Sequence, residues 1–313
     1  MNLYKSLIFI LYLGIFLGSG FRTPAQSRDS ITLYGTLDTV QVIRQRIQHA
    51  NEANAGARVT HISPAILQAN KTRSLAELLT DHTSIYIKSL GTGALSTASF
   101  RGTSASQTRV NWNGINITPP LSGTFDFSQI PVFFTDNINL YYGSSHVKNG
   151  TGAIGGSVNL FTDTDWNRGV NGRVLAEYGS YNTYTVGGQA NISGNKSASK
   201  TRLYYQHSDN DYTYLNKVLT NIPFREKRQD AAYSQFGIMQ EGYFRVSPYT
   251  RLTAVAWYQK NHRNLPQPLG VVNRSQEDQE ENNFRGYAGL DFSRGIHELH
   301  VKAAWLYFCQ TYD

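Results

Sequence analysis

Beyond Trp166 the chain alternates apolar and polar residues with a period of two, the pattern of strands that show a different environment to each face. Val174, Ala176 and Tyr178 share one face, followed by Tyr184, Val186, Gly188, Ala190 and Ile192. The pattern returns in Phe236, Ile238, Gly242, Phe244 and Val246, then in Phe284, Ala288, Leu290 and Phe292, and again in Leu299, Val301, Ala303, Trp305 and Tyr307. Opposite faces carry Gln189, Asn191, Gln235, Glu241, Arg245, Arg285, Asp291, His300 and Lys302. An apolar outside and a polar inside are what a transmembrane β-barrel requires, although a soluble β-sandwich has the same period. The links separate the two. Those after the third and fifth strands are long, at residues 209–232 and 261–282, while those after the second, fourth and sixth are short, at 194–199, 247–250 and 293–296. Long extracellular loops alternating with short periplasmic turns mark an outer-membrane barrel. With the N-terminus in the periplasm, the tight link at 179–182 becomes a short extracellular loop.

About seven strands can be placed this way, whereas single-chain bacterial barrels close with an even number. The chain stops at Gln310-Thr311-Tyr312-Asp313 without a closing strand or terminal aromatic residue. The expectation is truncation, with the remaining barrel strands downstream.

Before the strands, residues 74–163 have another character. SLAELL sets Ser74 three residues before Glu77, the capping-box spacing that starts a helix. Gly-rich, β-prone segments follow. Composition agrees: charged residues are only 16 %, aromatics 12 %, with 20 Tyr and 27 Gly among 313 residues. This favours strands and turns over long helices. The net charge of +7 is spread along the chain without a dense basic run, so no nucleic-acid partner is expected. A single cysteine, Cys309, rules out an intrachain disulfide and reads as a small packing residue. At the N-terminus Lys5 precedes an apolar run over residues 7–17, and Thr23-Pro24-Ala25 offers small residues for cleavage. The run is too short for a comfortable transmembrane helix, so residues 1–25 read as a secretory signal peptide.

The order and spacing of Phe100-Arg101-Gly102, Asn113-Gly114, Gly143 and Gly152-Ala153-Ile154-Gly155-Gly156, with Asn159 and Thr162, resemble the plug domain of TonB-dependent outer-membrane receptors. The resemblance covers about ninety residues, and several separate motifs agree in order. It implies a mainly β chain: a periplasmic leader over 26–70, a small α+β plug domain over 71–165, and the N-terminal part of a large antiparallel transmembrane β-barrel over 166–313. Asp38-Thr39-Val40-Gln41-Val42 looks like a TonB box, a short extended segment that binds by strand addition; an ordinary leader strand has the same alternation. The implied partners are TonB with its inner-membrane ExbB/ExbD motor, outer-membrane lipid and a small-molecule ligand. The implied location is the outer membrane of a Gram-negative bacterium.

Several residues gain roles from the resemblance. Arg101 matches a plug arginine that pairs with glutamates on the barrel wall, although Tyr142 stands where a second arginine is common and Asn139 where an acidic residue is common. Two loops of small, turn-forming residues would face the ligand: Gly91, Thr92, Leu95, Ser96 and Thr97 in one, and Pro119, Leu121, Ser122 and Thr124 in the other. Both look most like loops of the vitamin B12 (cobalamin) receptors, while siderophore and haem receptors share the scaffold. Cobalamin receptors order an extracellular loop with calcium, and Asp209, Asp211 and Asp230 offer hard oxygen donors there; a solvated acidic loop is the alternative.

Other chemistries fare less well. Gly150-Thr151-Gly152-Ala153-Ile154-Gly155 satisfies GxGxxG, yet Ser157-Val158-Asn159-Leu160-Phe161 reads as a strand, where a dinucleotide site needs a helix. No HExxH and no nucleophile elbow is present, so no enzymatic activity is expected. A passive porin or β-barrel adhesin would lack so long a globular segment before its first strand.

Overall fold

The computed structural model describes residues 58–120, 122–143, 153–218, 223–267 and 277–312, all within one compact unit, Glu52–Asp313. The expected signal peptide, the 38–42 box, Leu121 and the first glycines of the GxGxxG run lie outside the described residues.

Strand β1 (Arg58–His61) leads into two short helices, α1 (Pro64–Ala69) and α2 (Leu75–His82). Helix α2 starts where the capping box requires: Glu77 N donates to Ser74 Oγ, and Ser74 N donates to the Glu77 carboxylate at 2.8 Å. Its Leu75, Leu78 and Leu79 are fully buried. A hairpin of β2 (Tyr86–Ser89) and β3 (Ser96–Ser99) precedes β4 (Thr108–Trp112) and β5 (Ile115–Asn116), then β6 (Asn137–Tyr142) and β7 (Gly156–Phe161). A mixed sheet of order β1-β6-β7-β4-β5 forms, in which β7 runs parallel to β4 and antiparallel to β6. The strand expected after the GxGxxG run is therefore present, at the centre of a sheet. Gly156 is required there by space, because a Cβ would lie 2.6 Å from the Tyr141 carbonyl and 2.7 Å from the Phe100 ring. Asn113 and Thr162 fasten the β4–β5 turn to the end of β7, Asn113 Nδ2 donating to Thr162 Oγ1 and Thr162 N to Asn113 Oδ1, each at 2.9 Å.

The second sheet is a seven-stranded antiparallel wall: β8 (Gly169–Gly179), β9 (Thr183–Ser193), β10 (Ser197–Ser208), β13 (Tyr233–Ser247), β14 (Thr250–Asn264), β15 (Asp278–Arg294) and β16 (His297–Tyr312), each paired with the next. A hairpin of β11 (Thr213–Asn216) and β12 (Phe224–Lys227) interrupts the long link after β10. Short turns and long links alternate as the sequence predicts. Val174, Val186, Ile192, Phe244 and Val246 are exposed on the outer face, while the opposite face of β10 and β13–β15 is buried. The outer stripe suits lipid and the inner face packs on the α+β body.

Aromatic rings make much of that contact. Phe133 and Phe134 reach Tyr204, Phe134 lies 5.3 Å from Trp257, and Trp112 meets Tyr287 edge-to-face and Trp257 at a tilt. Gly237 makes room for this cluster, since a Cβ there would sit 2.6 Å from the Phe134 ring.

Beside the rings runs a buried ion network. Asp136 pairs with Arg202 and, at 3.1 Å, with Lys200; Arg202 Nε lies 3.0 Å from Glu241 Oε1. Arg202 and Glu241 are fully buried. Tyr243 Oη donates to Glu241 at 2.6 Å, Arg202 Nη1 donates to the Phe133 carbonyl at 2.9 Å, and Lys200 Nζ donates to the Asp163 carbonyl. Lys71 grips the same segment from behind by donating to the Val132 and Thr135 carbonyls. Burial alone would push the Asp136 carboxyl up, but Arg202 and Lys200 override it and hold the group well below the usual carboxylate range. Burial also pulls the Lys71 ammonium down to about 8, against the opposing field of Asp136.

Two predictions follow from these contacts. Gly237→Val drives carbon into the Phe134 ring and is expected to destabilise the full-length protein by about 1–3 kcal/mol. Gly188→Val, where a Cβ meets nothing within 4 Å, is expected to stay within about 0.5 kcal/mol. Thermal unfolding of the detergent-solubilised protein compares them. Asp136→Asn leaves Arg202 and Lys200 without their shared carboxylate and is expected to cost about 3–5 kcal/mol at neutral pH. Because the folded carboxyl titrates below its unfolded value of about 3.9, its contribution is full above that value and fades as pH falls further. A wild-type stability that drops below about pH 4, with that component missing in Asp136→Asn, is the expected result.

Candidate functional site

The apical loops are positioned by the β2–β3 hairpin and by the 3-10 turns of residues 127–129 and 132–134. Asp126 joins them. Its Oδ1 accepts from Ser96 N and Ser128 N at 3.0 Å and from Ser128 Oγ at 2.7 Å, and its Oδ2 takes Arg263 Nη1 of β14 at 2.7 Å. One carboxylate thus ties the first loop, the segment after the second loop and the wall. Gln235 Nε2 and Gln259 Nε2 add donations to the Ser128 and Gln129 carbonyls.

Above this junction opens a cavity of about 490 Å³. Leu95, Pro119, Ser122 and Thr124 of the predicted loops line it on one side, and Arg263, Gln279, Glu281, Asn283 and Arg285 of the wall on the other. Gly91, Thr92 and Ser96 border a second cavity of about 220 Å³ instead, with Glu77, Asp81, Gln206 and Tyr233. Thr92 is also held to the wall-side loop through its carbonyl, which accepts from Asn210 Nδ2 at 3.0 Å. Thr97 sits within β3 opposite Lys88. The two predicted loops are therefore brought together in part, around two spaces.

Arg101 is placed differently from its expected role. It is exposed, has φ of 49°, and its guanidinium carbon lies 5.9 Å from the Tyr142 ring centroid, which Arg58 approaches at 5.2 Å. Among the described residues it makes no ion pair with a wall carboxylate. The tyrosine at 142 takes up the cations as a π-face, and Asn139 accepts from His61 Nδ1 at 2.7 Å. Ion pairs between the α+β body and the wall run with the opposite polarity, Asp126 to Arg263 and Asp136 to Arg202 and Lys200. Sequence reading missed Asp126, Asp136, Lys200, Arg202 and Arg263, whose only local signal was their place in the alternation or beside a turn.

The proposed calcium donors are also dispersed. Asp209 engages His207 at 3.0 Å and Asn182 at 3.1 Å, which hold its carboxyl below the usual range. Asp211 pairs with Lys227 at 2.6 Å, and Asp230 occupies a turn with φ of 54°. Among the described residues no three His, Cys, Asp or Glu side chains are grouped to hold a metal ion. As arranged, these carboxylates do not fit a calcium site.

Comparisons with known proteins add to this geometry. Residues 51–157 match the family model of the TonB-dependent receptor plug domain. The vitamin B12 transporter BtuB of Photobacterium profundum is 32 % identical over 135 residues, covering 43 % of this chain and 22 % of that protein. BtuB of Vibrio cholerae is 32 % identical over 126 residues, covering 40 % and 20 %. The match thus spans about a fifth of the length of these curated relatives. Among solved structures, the siderophore receptor PiuA of Acinetobacter baumannii superposes with a TM-score of 0.62 at 18 % identity, over 82 % of this chain and 37 % of that one. The ferric-catecholate import receptor Fiu of E. coli K12 gives 0.62 at 13 %, over 82 % and 39 %. At these identities the structural likeness is one of fold. With the plug match, the motifs in order and the shared architecture together, the chain carries the plug domain of the TonB-dependent receptor family, followed by a seven-stranded antiparallel wall of the fold found in solved TonB-dependent receptors.

Proposed function

We propose that the protein binds a scarce, bulky ligand at the cell surface and admits it to the periplasm with work transmitted by TonB. The observation that carries this reading is the 490 Å³ cavity formed jointly by plug loops and wall, with Asp126 joining the two beneath it. A ligand seated there touches the plug and the barrel at once, so its binding free energy can bias how they are held together. A passive porin is disfavoured, because the inner faces of β10 and β13–β15 are packed against the plug.

In this reading residues 1–25 are a cleaved signal peptide; the leader expected over 26–70 ends before β1 (Arg58–His61), which pairs with β6 in the plug sheet, so the plug expected over 71–165 begins earlier, and 166–313 are wall strands in the outer membrane of a Gram-negative bacterium. Asp38-Thr39-Val40-Gln41-Val42 is the segment offered to TonB, whose ExbB/ExbD motor supplies the work. The two ligand candidates are cobalamin, from the curated relatives matching the plug, and a ferric siderophore, from the structural neighbours.

Titration of the full-length receptor with cyanocobalamin and with ferric siderophores separates these candidates. Deleting residues 38–42 is expected to abolish uptake while surface binding persists. Uptake that survives the deletion refutes the box assignment.

A further inference from the structure

The vestibule carries an imbalance of charge, and the inference drawn from it rests on the vestibule being the ligand-binding space. Along the inner face of β15, Gln279, Glu281, Asn283 and Arg285 all line the cavity, stepping down from the rim. At roughly 6.7 Å per two residues, Arg285 lies about 20 Å along the strand from Gln279. It is only 2 % exposed.

The partners of this guanidinium are neutral. Arg285 Nη1 donates to Gln259 Oε1 at 3.1 Å, its Cζ lies 4.5 Å from the Trp257 ring centroid and 5.7 Å from that of Phe308, and its Nε has no hydrogen-bond partner. Among the described residues no carboxylate forms an ion pair with it, and the carboxylate whose field reaches it is Glu281 of the same strand face. The acids of the vestibule are engaged elsewhere: Asp126 with Arg263 at 2.7 Å, and Glu281 with the Gln279 amide. Arg228, on the loop above, contributes a second guanidinium to the lining, its Nη2 donating to the Gln267 carbonyl at 3.2 Å. Beyond the Asp126–Arg263 pair, two guanidinium groups stand against the one carboxylate of Glu281.

Burying a charge without a counter-ion is costly, and aromatic faces offset only part of that cost. A planar guanidinium with unused donors is suited to anionic oxygens, which it binds in a directed way. The geometry points to Arg285 as an anion-recognition residue, with Arg228 at the rim, selecting ligands that present carboxylate, phosphate or catecholate oxygens and carry net negative charge. A near-neutral ligand would leave Glu281 as the one carboxylate of the cavity set against the Arg285 and Arg228 charges. Charge is thereby the property that divides the ligand candidates.

The test uses the full-length receptor in detergent and three probes: a trianionic ferric tris-catecholate, a neutral ferric tris-hydroxamate and cyanocobalamin. Wild type is expected to bind the trianion most tightly, with affinity falling as salt is raised. Arg285→Gln is expected to weaken trianion binding about 30-fold or more and leave the neutral chelate within about twofold. Arg285→Lys is expected to recover part of the loss, because it keeps the charge without the fork. Arg228→Gln, on a half-exposed loop residue, is expected to weaken the trianion several-fold and cannot act by unfolding the wall. Failure of wild type to bind the trianion overturns the inference, as does equal loss for charged and neutral probes in Arg285→Gln, which marks a merely structural role. Substitution of Leu95 and Ser122 distinguishes the underlying reading: if wild type binds a probe and these changes leave its affinity unaltered, the vestibule itself is not the binding space.

Discussion

The Asp136 carboxylate, held between Arg202 and Lys200, is the contact on which the joining of plug and wall depends. The inner face of the wall carries full charges at positions that neither water nor lipid reaches, Arg202 and Glu241 both being completely buried. A barrel strand can place such groups inward only if something inside answers them. The segment 132–136 does so with the Asp136 carboxylate and the Phe133 carbonyl, while Phe133 and Phe134 fill the space between. The plug is thus a structural counterpart of the wall as well as an obstruction within it.

This explains which parts were legible in the sequence. Strands β8, β9, β13, β15 and β16 announce themselves because lipid on one side and a polar interior on the other impose a period of two that is purely local. Helix α2 was legible for the same reason, since Ser74 and Glu77 complete their capping box within one turn. The Asp136–Arg202 pair spans 66 residues of sequence, and nothing local to either residue names the other. Alternation gave inward positions for Glu241 and Arg285 but not their partners. Arg101 shows the limit of a motif match: it supplied a role for which the described wall strands offer no partner, while the backbone places the residue in an exposed left-handed turn beside Tyr142.

The candidate site was legible to a similar depth. Small, turn-forming residues marked the tips of both apical loops, where Gly91, Gly93 and Gly123 all adopt positive φ, while Ser96 and Thr97 belong to β3. How the loops divide between two cavities depends on Asp126, whose side chain fixes Ser96 and Ser128 relative to Arg263. No spacing rule links residue 96 to 126 and 263. The wall side of the vestibule was harder still, because β14 and β15 contribute alternate residues whose neighbours across the sheet are set by register.

The two kinds of fastening between plug and wall respond to water in opposite ways, and this bears on how a plug can be both secure and releasable. Ion pairs gain strength as the surroundings become less polar, so the Asp136–Arg202–Glu241 network is firm while dry and weakens once water enters. The aromatic contacts of Trp112, Phe133 and Phe134 with Tyr204, Trp257 and Tyr287 depend on water as the alternative environment and hold down to the point of separation. While the rings stay packed they keep water from the charges, and while the charges stay paired they hold the rings in register. Displacing segment 132–136 far enough to wet Asp136 weakens the ion pairs steeply, because their strength scales inversely with the local dielectric. Such a joint resists small displacements and yields cooperatively to a large one. Under the proposed function, that behaviour lets the plug stay seated at rest and move under load.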